Sequence, residues 1–184
     1  MRKGLIVMLL LITGWSHGQD LRRSRFLSLA YEGGFVAHPG FSLGYHWAYS
    51  LGEKWSVRPG VKTGAYFHRR YQNAVFLTAK AQLLHSGKKG GFYGFEVNAG
   101  FQRHFIPHTF SVREDGSIEK RAAGTNHLVY APGFLLGGRL LRSSKHYLEW
   151  YLNPQLQFRQ LHGNSKEFKR ENYFLLAFGV NYRL

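Results

Sequence analysis

From Phe174 to Leu184 the chain alternates strictly. Phe174, Leu176, Phe178, Val180, Tyr182 and Leu184 fall on one face, and Leu175, Ala177, Gly179, Asn181 and Arg183 fall on the other. Only a two-residue period separates large apolar groups from small and polar ones in this way, so the segment reads as a β-strand with two unlike faces. The pattern recurs. Phe41, Leu43, Tyr45, Trp47, Tyr49 and Leu51 oppose Ser42, Gly44, His46, Ala48 and Ser50. Tyr93, Phe95, Val97, Ala99 and Phe101 oppose Gly94, Glu96, Asn98, Gly100 and Gln102. Leu148, Trp150, Leu152, Leu156 and Phe158 oppose Glu149, Asn153, Gln155, Gln157 and Arg159. A soluble sandwich also alternates, but its polar face meets solvent and is rarely so rich in Gly and Ala. Here the polar face suits the interior of a narrow barrel and the apolar face suits lipid.

Eight such strands are expected, near 25–36, 40–51, 55–68, 74–85, 92–105, 127–141, 147–159 and 172–184. The fold class is all-β: an eight-stranded antiparallel up-and-down transmembrane β-barrel. The connections at 52–54, 86–91 and 142–146 are short, whereas 106–126 and 160–171 are long. Outer-membrane barrels keep short turns on the periplasmic side and longer loops outside. An even strand count with periplasmic termini puts both long connections outside. Pro59, Pro132 and Pro154 fall within expected strands on the lipid-facing parity, where each missing N–H calls for a bulge or a break. Aromatic residues make up 16% of the chain and recur near strand ends, among them Trp47, Tyr49, Trp55, Tyr66, Phe105, Tyr130, Tyr147 and Tyr182. Interfacial girdles need such rings.

The start of the chain has another logic. Arg2 and Lys3 precede an uncharged apolar run from Leu5 to Ile12, and Ser16-His17-Gly18 supplies small residues at a cleavage spacing. Residues 1–18 are therefore expected to be a secretory signal peptide, leaving 19–184 as the barrel domain. The run is shorter than the ~20 residues of a spanning helix. The chain has no Cys, so an exported product would need a stabilising device other than disulfides. Closure of a sheet within a membrane is one.

The net charge is +15. The basic residues are spread over strands and turns instead of gathering on one helix or patch, which argues against nucleic acid. Anionic head groups and lipopolysaccharide phosphates are the expected partners, because a basic membrane edge is drawn to anionic surfaces.

The segments HRRYQNAVFLTAKAQLLHSGKKGGFYGFEVNAG (68–100) and HPGFSLGYHW, the stretch SVREDGSIEKRAAG and the ending FGVNYRL carry a resemblance. Together they resemble small uncharacterised outer-membrane β-barrel proteins common in Bacteroidota. The resemblance implies a β-barrel and an outer-membrane location, and no catalytic residue. The aromatic alternation of the last strand is the one expected of a C-terminal signal for the barrel-insertion machinery. Leu184 departs from the terminal Phe common in proteobacterial barrels.

The inward parity collects Glu32, His46, Arg58, Lys62, Lys80, Glu96, Arg139, Glu149, Arg159 and Arg183. An eight-stranded barrel is just wide enough for its side chains to fill. Buried charges must pair, so these residues are expected to form a structural polar network, with the three Glu salt-bridged to the bases. His38, His68, His104, His108, His127 and His162 map near the outer strand ends, and His85 and His146 near the inner ends. Two or three outer His could approach a metal, but a spacing such as His104-x3-His108 fixes no geometry outside a helix. His108, Ser111 and Glu114 have the residue types of a hydrolytic triad, with no local motif to support them. No phosphate-binding Gly loop is present, and no cofactor or metal is implied.

In the long connection, Arg113, Glu114, Asp115, Glu119, Lys120 and Arg121 form a charged surface segment. Asp115-Gly116 is a turn signal whose flanks could pair as a short projecting hairpin. The favoured function is non-enzymatic, in envelope integrity or in surface binding through the outer loops. The alternatives are an outer-membrane enzyme modifying lipid or lipopolysaccharide, and a soluble periplasmic lipocalin-like carrier. The enzyme needs a nucleophile, base and acid that converge. The carrier needs its apolar face inside.

Overall fold

The computed structural model describes residues 23–33, 39–67, 73–112, 117–142, 147–161 and 170–184. These contain β1 (Arg23–Gly33), β2 (Gly40–Leu51), β3 (Trp55–Tyr66), β4 (Asn73–Ser86), β5 (Gly91–Val112), β6 (Ile118–Arg142), β7 (Tyr147–Leu161) and β8 (Arg170–Arg183). Each strand pairs antiparallel with its sequence neighbour, and β1 pairs antiparallel with β8, so the sheet closes into a barrel. Closure leaves the barrel wall without an edge. The expected signal peptide, 1–18, lies outside the described residues.

The two faces of every strand separate by parity. In β4, alternate residues from Ala74 to Leu84 are buried while Val75, Leu77 and Leu83 are exposed. Leu29, Phe41, Phe95, Phe101, Phe134 and Phe178 also point outward, and Phe101 is 66% exposed. A water-soluble domain does not leave such a continuous apolar wall uncovered. Inside, the burial order is inverted: Glu32, His46, Gln102, Glu149, Asn153 and Asn181 are among the most deeply buried side chains. Apolar packing is confined to patches between them. One groups Ala30, Leu84, Phe92, Leu135 and Tyr151, and another groups Tyr66, Ala74, Phe76 and Leu175.

Glycine makes room for the larger inward rings. A Cβ at Gly64 would meet the Phe76 ring, and one at Gly137 would meet Phe92. In the short connections Gly52 and Gly90 have φ of 72° and 86°, a region that side-chain-bearing L-residues enter only at a cost.

The prolines do not bend the sheet as expected. Pro59 stays in register with Ala81 of β4, Pro132 with Val97 of β5, and Pro154 with Leu176 of β8. Along the opposite neighbour the paired residues skip each proline, and register resumes unshifted beyond it. Each strand therefore gives up pairs on one side only, without a bulge or a break. The register shifts fall elsewhere, between Ile106 and Thr109 and between Arg139 and Leu141.

The largest departure concerns 106–126. The residue pattern predicts a loop there, between strands ending at 105 and beginning at 127. Instead β5 runs to Val112 and β6 starts at Ile118, with Thr109 opposite Arg121, Phe110 opposite Lys120, Ser111 opposite Glu119 and Val112 opposite Ile118. β4 begins only at Asn73, opposite Phe105, and β7 ends at Leu161, opposite His127. The two strands thus continue past both neighbours as a ribbon. At ~3.3 Å per residue, the β5 arm reaches about 20 Å beyond the last rung shared with β4.

Candidate functional site

The lumen brings four of the ten inward ionisable residues together as two separate ion pairs. In the first, Arg58 on β3 donates to Glu149 on β7, Nη1 to Oε2 at 2.7 Å and Nη2 to Oε1 at 3.2 Å. The Tyr147 hydroxyl donates to Glu149 Oε1 at 2.8 Å, and Asn181 Nδ2 lies 3.5 Å from Oε2. Arg58 also lies over the rings of Phe26 and Phe92. In the second cluster, Lys62 Nζ is 2.8 Å from Glu32 Oε1, which also accepts the Tyr66 hydroxyl at 3.1 Å.

Glu96 is treated differently. All three Glu are expected from the sequence to be salt-bridged, yet amides surround this one. Gln82 donates to its Oε2 at 2.5 Å, and Asn98, Asn153 and Gln155 donate to Oε1 at 2.8, 2.8 and 3.3 Å. Among the described residues no cation lies within ion-pair distance of it. Amide side chains on β4, β5 and β7 supply several donors at once, which solvates a carboxylate that has no cation within ion-pair distance among the described residues. Lys80 is buried on the same inward face.

His46 is fully buried and stacks on Phe26, with centroids 5.2 Å apart and planes 7° apart. Neither of its ring nitrogens has a hydrogen-bond partner among the described residues. Arg159 is buried, with Nε donating to Gln157 at 3.0 Å and its guanidinium 3.9 Å from the Tyr173 ring centroid.

Arg139 and Arg183 have inward parity but do not lie at the depth expected of a lumen network. Both are exposed at the mouth ringed by the short turns. Parity fixes direction, not height, and each sits near the end of its strand, beyond the last filled level of the lumen.

Of the histidines, His104 and His127 meet on the lumen face, with ring centroids 4.5 Å apart and the Thr125 hydroxyl 3.0 Å from His127 Nε2. His85 packs between Trp55 and Tyr93 at the short-turn end. Among the described residues no three His, Asp or Glu gather as metal ligands. His38, His68, His146 and His162 lie outside the described residues. For the triad types, His108 and Ser111 lie on β5, and Glu114 lies outside the described residues. Arg113, Glu114 and Asp115 of the charged segment also fall outside, while Glu119, Lys120 and Arg121 lie on β6.

Sequence reasoning missed the Glu96 amide shell and the role of Tyr147. The Asn and Gln residues of β5 and β7 have the correct parity, but nothing local shows that they converge on one carboxylate.

No family model and no curated protein matches the chain. Among solved structures, the translocator domain of the autotransporter NalP from Neisseria meningitidis is similar at 15% identity and a TM-score of 0.46, covering 97% of this chain and 68% of that one. A major outer membrane protein from Thermus thermophilus is similar at 13% identity and a TM-score of 0.47, covering 89% and 100%. Ail, the attachment invasion locus protein of Yersinia pestis, solved with the heparin analogue sucrose octasulfate, is similar at 14% identity and a TM-score of 0.43, covering 88% and 97%. The two faces of the chain's own strands remain the ground for a functional reading.

Proposed function

We propose that this chain is a non-enzymatic outer-membrane barrel that holds the β5–β6 ribbon outside the cell as a binding element. It is related to the small outer-membrane barrels common in Bacteroidota, reaches its place through the barrel-insertion machinery, and sits among outer-membrane lipids and lipopolysaccharide. The apolar wall supports the membrane location, since every strand turns large apolar groups outward while Glu32, Arg58, Lys62, Lys80, Glu96, Glu149 and Arg159 are buried inside. The same inversion speaks against a lipocalin-like carrier, whose apolar ligand needs an apolar chamber; Glu32, Glu96 and Glu149 line this lumen instead.

One observation carries the binding role: β5 and β6 stay paired to Val112 and Ile118, beyond the ends of β4 and β7. A rigid scaffold that lifts a charged ribbon clear of the bilayer is a common way to present a recognition surface. Cross-lumen bonding, from Arg58 to Glu149 and from Lys62 to Glu32, serves rigidity rather than transport.

The test replaces residues 109–121 with a short Asn-Gly turn. The shortened barrel folds and inserts like the parent, and cells carrying it lose adhesion to surfaces or matrix proteins that cells carrying the full chain retain. A shortened barrel that fails to insert, or unchanged adhesion in every assay that the parent passes, overturns the reading.

A further inference from the structure

The mouth ringed by the short turns carries a charge imbalance that the lumen does not neutralise. Arg25, Lys54, Lys88, Lys89, Arg139 and Arg183 are exposed there, against one exposed acidic side chain at that end among the described residues, Glu53, and the backbone carboxylate of Leu184. Two of these cations are held together. The Arg139 guanidinium lies 5.2 Å from the centroid of the Tyr147 ring, and that of Arg183 lies 4.9 Å from the same centroid. The two charges are therefore within about 10 Å of each other, about the screening length at 0.1 M salt.

Tyr147 is fixed from below. Its hydroxyl donates to Glu149 and its ring stands edge-on to Phe26, 6.1 Å between centroids. Glu149 cannot serve the two arginines, because its oxygens already accept Arg58, Tyr147 and Asn181. Arg139 is anchored as well: its backbone N–H donates to Gly90 O at 3.1 Å, and its side chain lies against the left-handed Gly90 in the turn that bears Lys88 and Lys89. Neither arginine is ion-paired with a carboxylate among the described residues. Two guanidiniums beside one fixed ring, on residues that are exposed and not ion-paired, match a phosphate or a similar oxyanion.

We infer that this mouth is a binding site for a soluble polyanion, whose oxyanion group is clamped by Arg139 and Arg183 over Tyr147. A soluble ligand fits better than a bilayer headgroup because both arginines have the inward parity of the barrel axis, whereas Arg25 has the outward parity of the wall. Lys54, Lys88 and Lys89 on the surrounding turns would meet further charges of the same ligand. The compartment, the periplasm, rests on the orientation proposed above; the anion site itself does not.

The test uses the full-length barrel in phosphatidylcholine nanodiscs, with inositol hexakisphosphate as probe and uncharged inositol as control, read by calorimetry. The barrel binds the probe and not inositol. Arg139→Gln with Arg183→Gln weakens binding by about tenfold or more, the scale expected when charge-assisted bonds are lost. Lys88→Gln with Lys89→Gln removes the same charge from the same end and weakens it far less. The unheated gel mobility of each variant shows that it is folded. Absence of binding to the parent, or equal losses in both double variants, overturns the clamp. In discs containing phosphatidylglycerol the parent binds as before; competition by that lipid, lost together with Arg139 and Arg183, overturns the soluble source. The compartment is read separately: Lys88→Cys, in a chain with no other Cys, reacts with an impermeant maleimide only after the outer membrane is opened. Labelling in intact cells overturns the periplasmic assignment whatever the calorimetry gives.

Discussion

Arg58 on β3 and Glu149 on β7 reach across the lumen and meet through two hydrogen bonds of 2.7 and 3.2 Å. The pair joins strands that are not neighbours in the sheet, so it ties the wall together across the barrel rather than along it. Both residues are buried, and removing one partner strands the other charge. Arg58→Leu or Glu149→Leu is expected to lower stability by about 3–5 kcal/mol, whereas the double variant costs much less, because no lone charge remains. Urea unfolding in lipid vesicles measures all three. Equal losses in the single and double variants would show that the pair itself, not a stranded charge, sets the cost.

Glu96 makes a contrasting prediction. Its shell consists of amide donors, and an amide can turn to offer its oxygen. Glu96→Gln should therefore be mild, with Gln82 flipping to accept the new NH2. Glu96→Ala leaves several donors without an acceptor, at ~1–3 kcal/mol for each that finds none. The same unfolding experiment separates them, and a Gln variant as unstable as the Ala variant would mean that the negative charge is required.

At His46 the polar atoms contribute little to stability. The ring is buried on Phe26 without hydrogen bonds among the described residues. Phe at this position keeps the stack and removes two buried polar atoms. His46→Phe is expected to match or exceed the parent by about 1 kcal/mol, since unsatisfied polar groups are costly to bury. A loss of more than about 1 kcal/mol on the same scale of unsatisfied polar groups would reveal a partner for the imidazole.

The wall and the lumen of one strand should respond oppositely. Phe178 on β8 is 54% exposed on the apolar wall, while Asn181 is buried inside near Glu149. Phe178→Arg places a charge against lipid, at ~2–4 kcal/mol if it lies at mid-depth. Asn181→Ala gives up a 3.5 Å contact that the other donors to Glu149 back up. Membrane yield and gel mobility of the two variants report the difference. Equal yields would mean that the faces of β8 are reversed.

Much of this fold is legible in the sequence because a two-residue period is a local signal. The faces of β2, β5, β7 and β8 follow from parity alone, and so does the outward placement of Pro59, Pro132 and Pro154. What parity cannot give is the neighbour on which each proline gives up its pairs, because that depends on which way the residue's N–H points. The ribbon reads as a loop in the sequence because its alternation is short and interrupted: Phe110 and Val112 alternate for one step, Asp115-Gly116 then signals a turn, and Glu119, Lys120 and Arg121 follow as three consecutive charges. The lumen clusters are visible as a set of residues but not as partners. Arg58 and Glu149 are 91 residues apart, and their meeting depends on register accumulated around the whole barrel. Arg139 and Arg183 show the remaining gap, since direction is readable and depth is not.

The most direct measurement is fractionation of cells expressing the full chain, with outer and inner membranes separated on a density gradient and then washed with carbonate. A barrel whose wall is Leu29, Phe95, Phe101 and Phe178 stays with the outer membrane through the wash and is released as a folded monomer only by detergent. Folded monomer recovered from the periplasmic fraction in buffer alone would contradict the account.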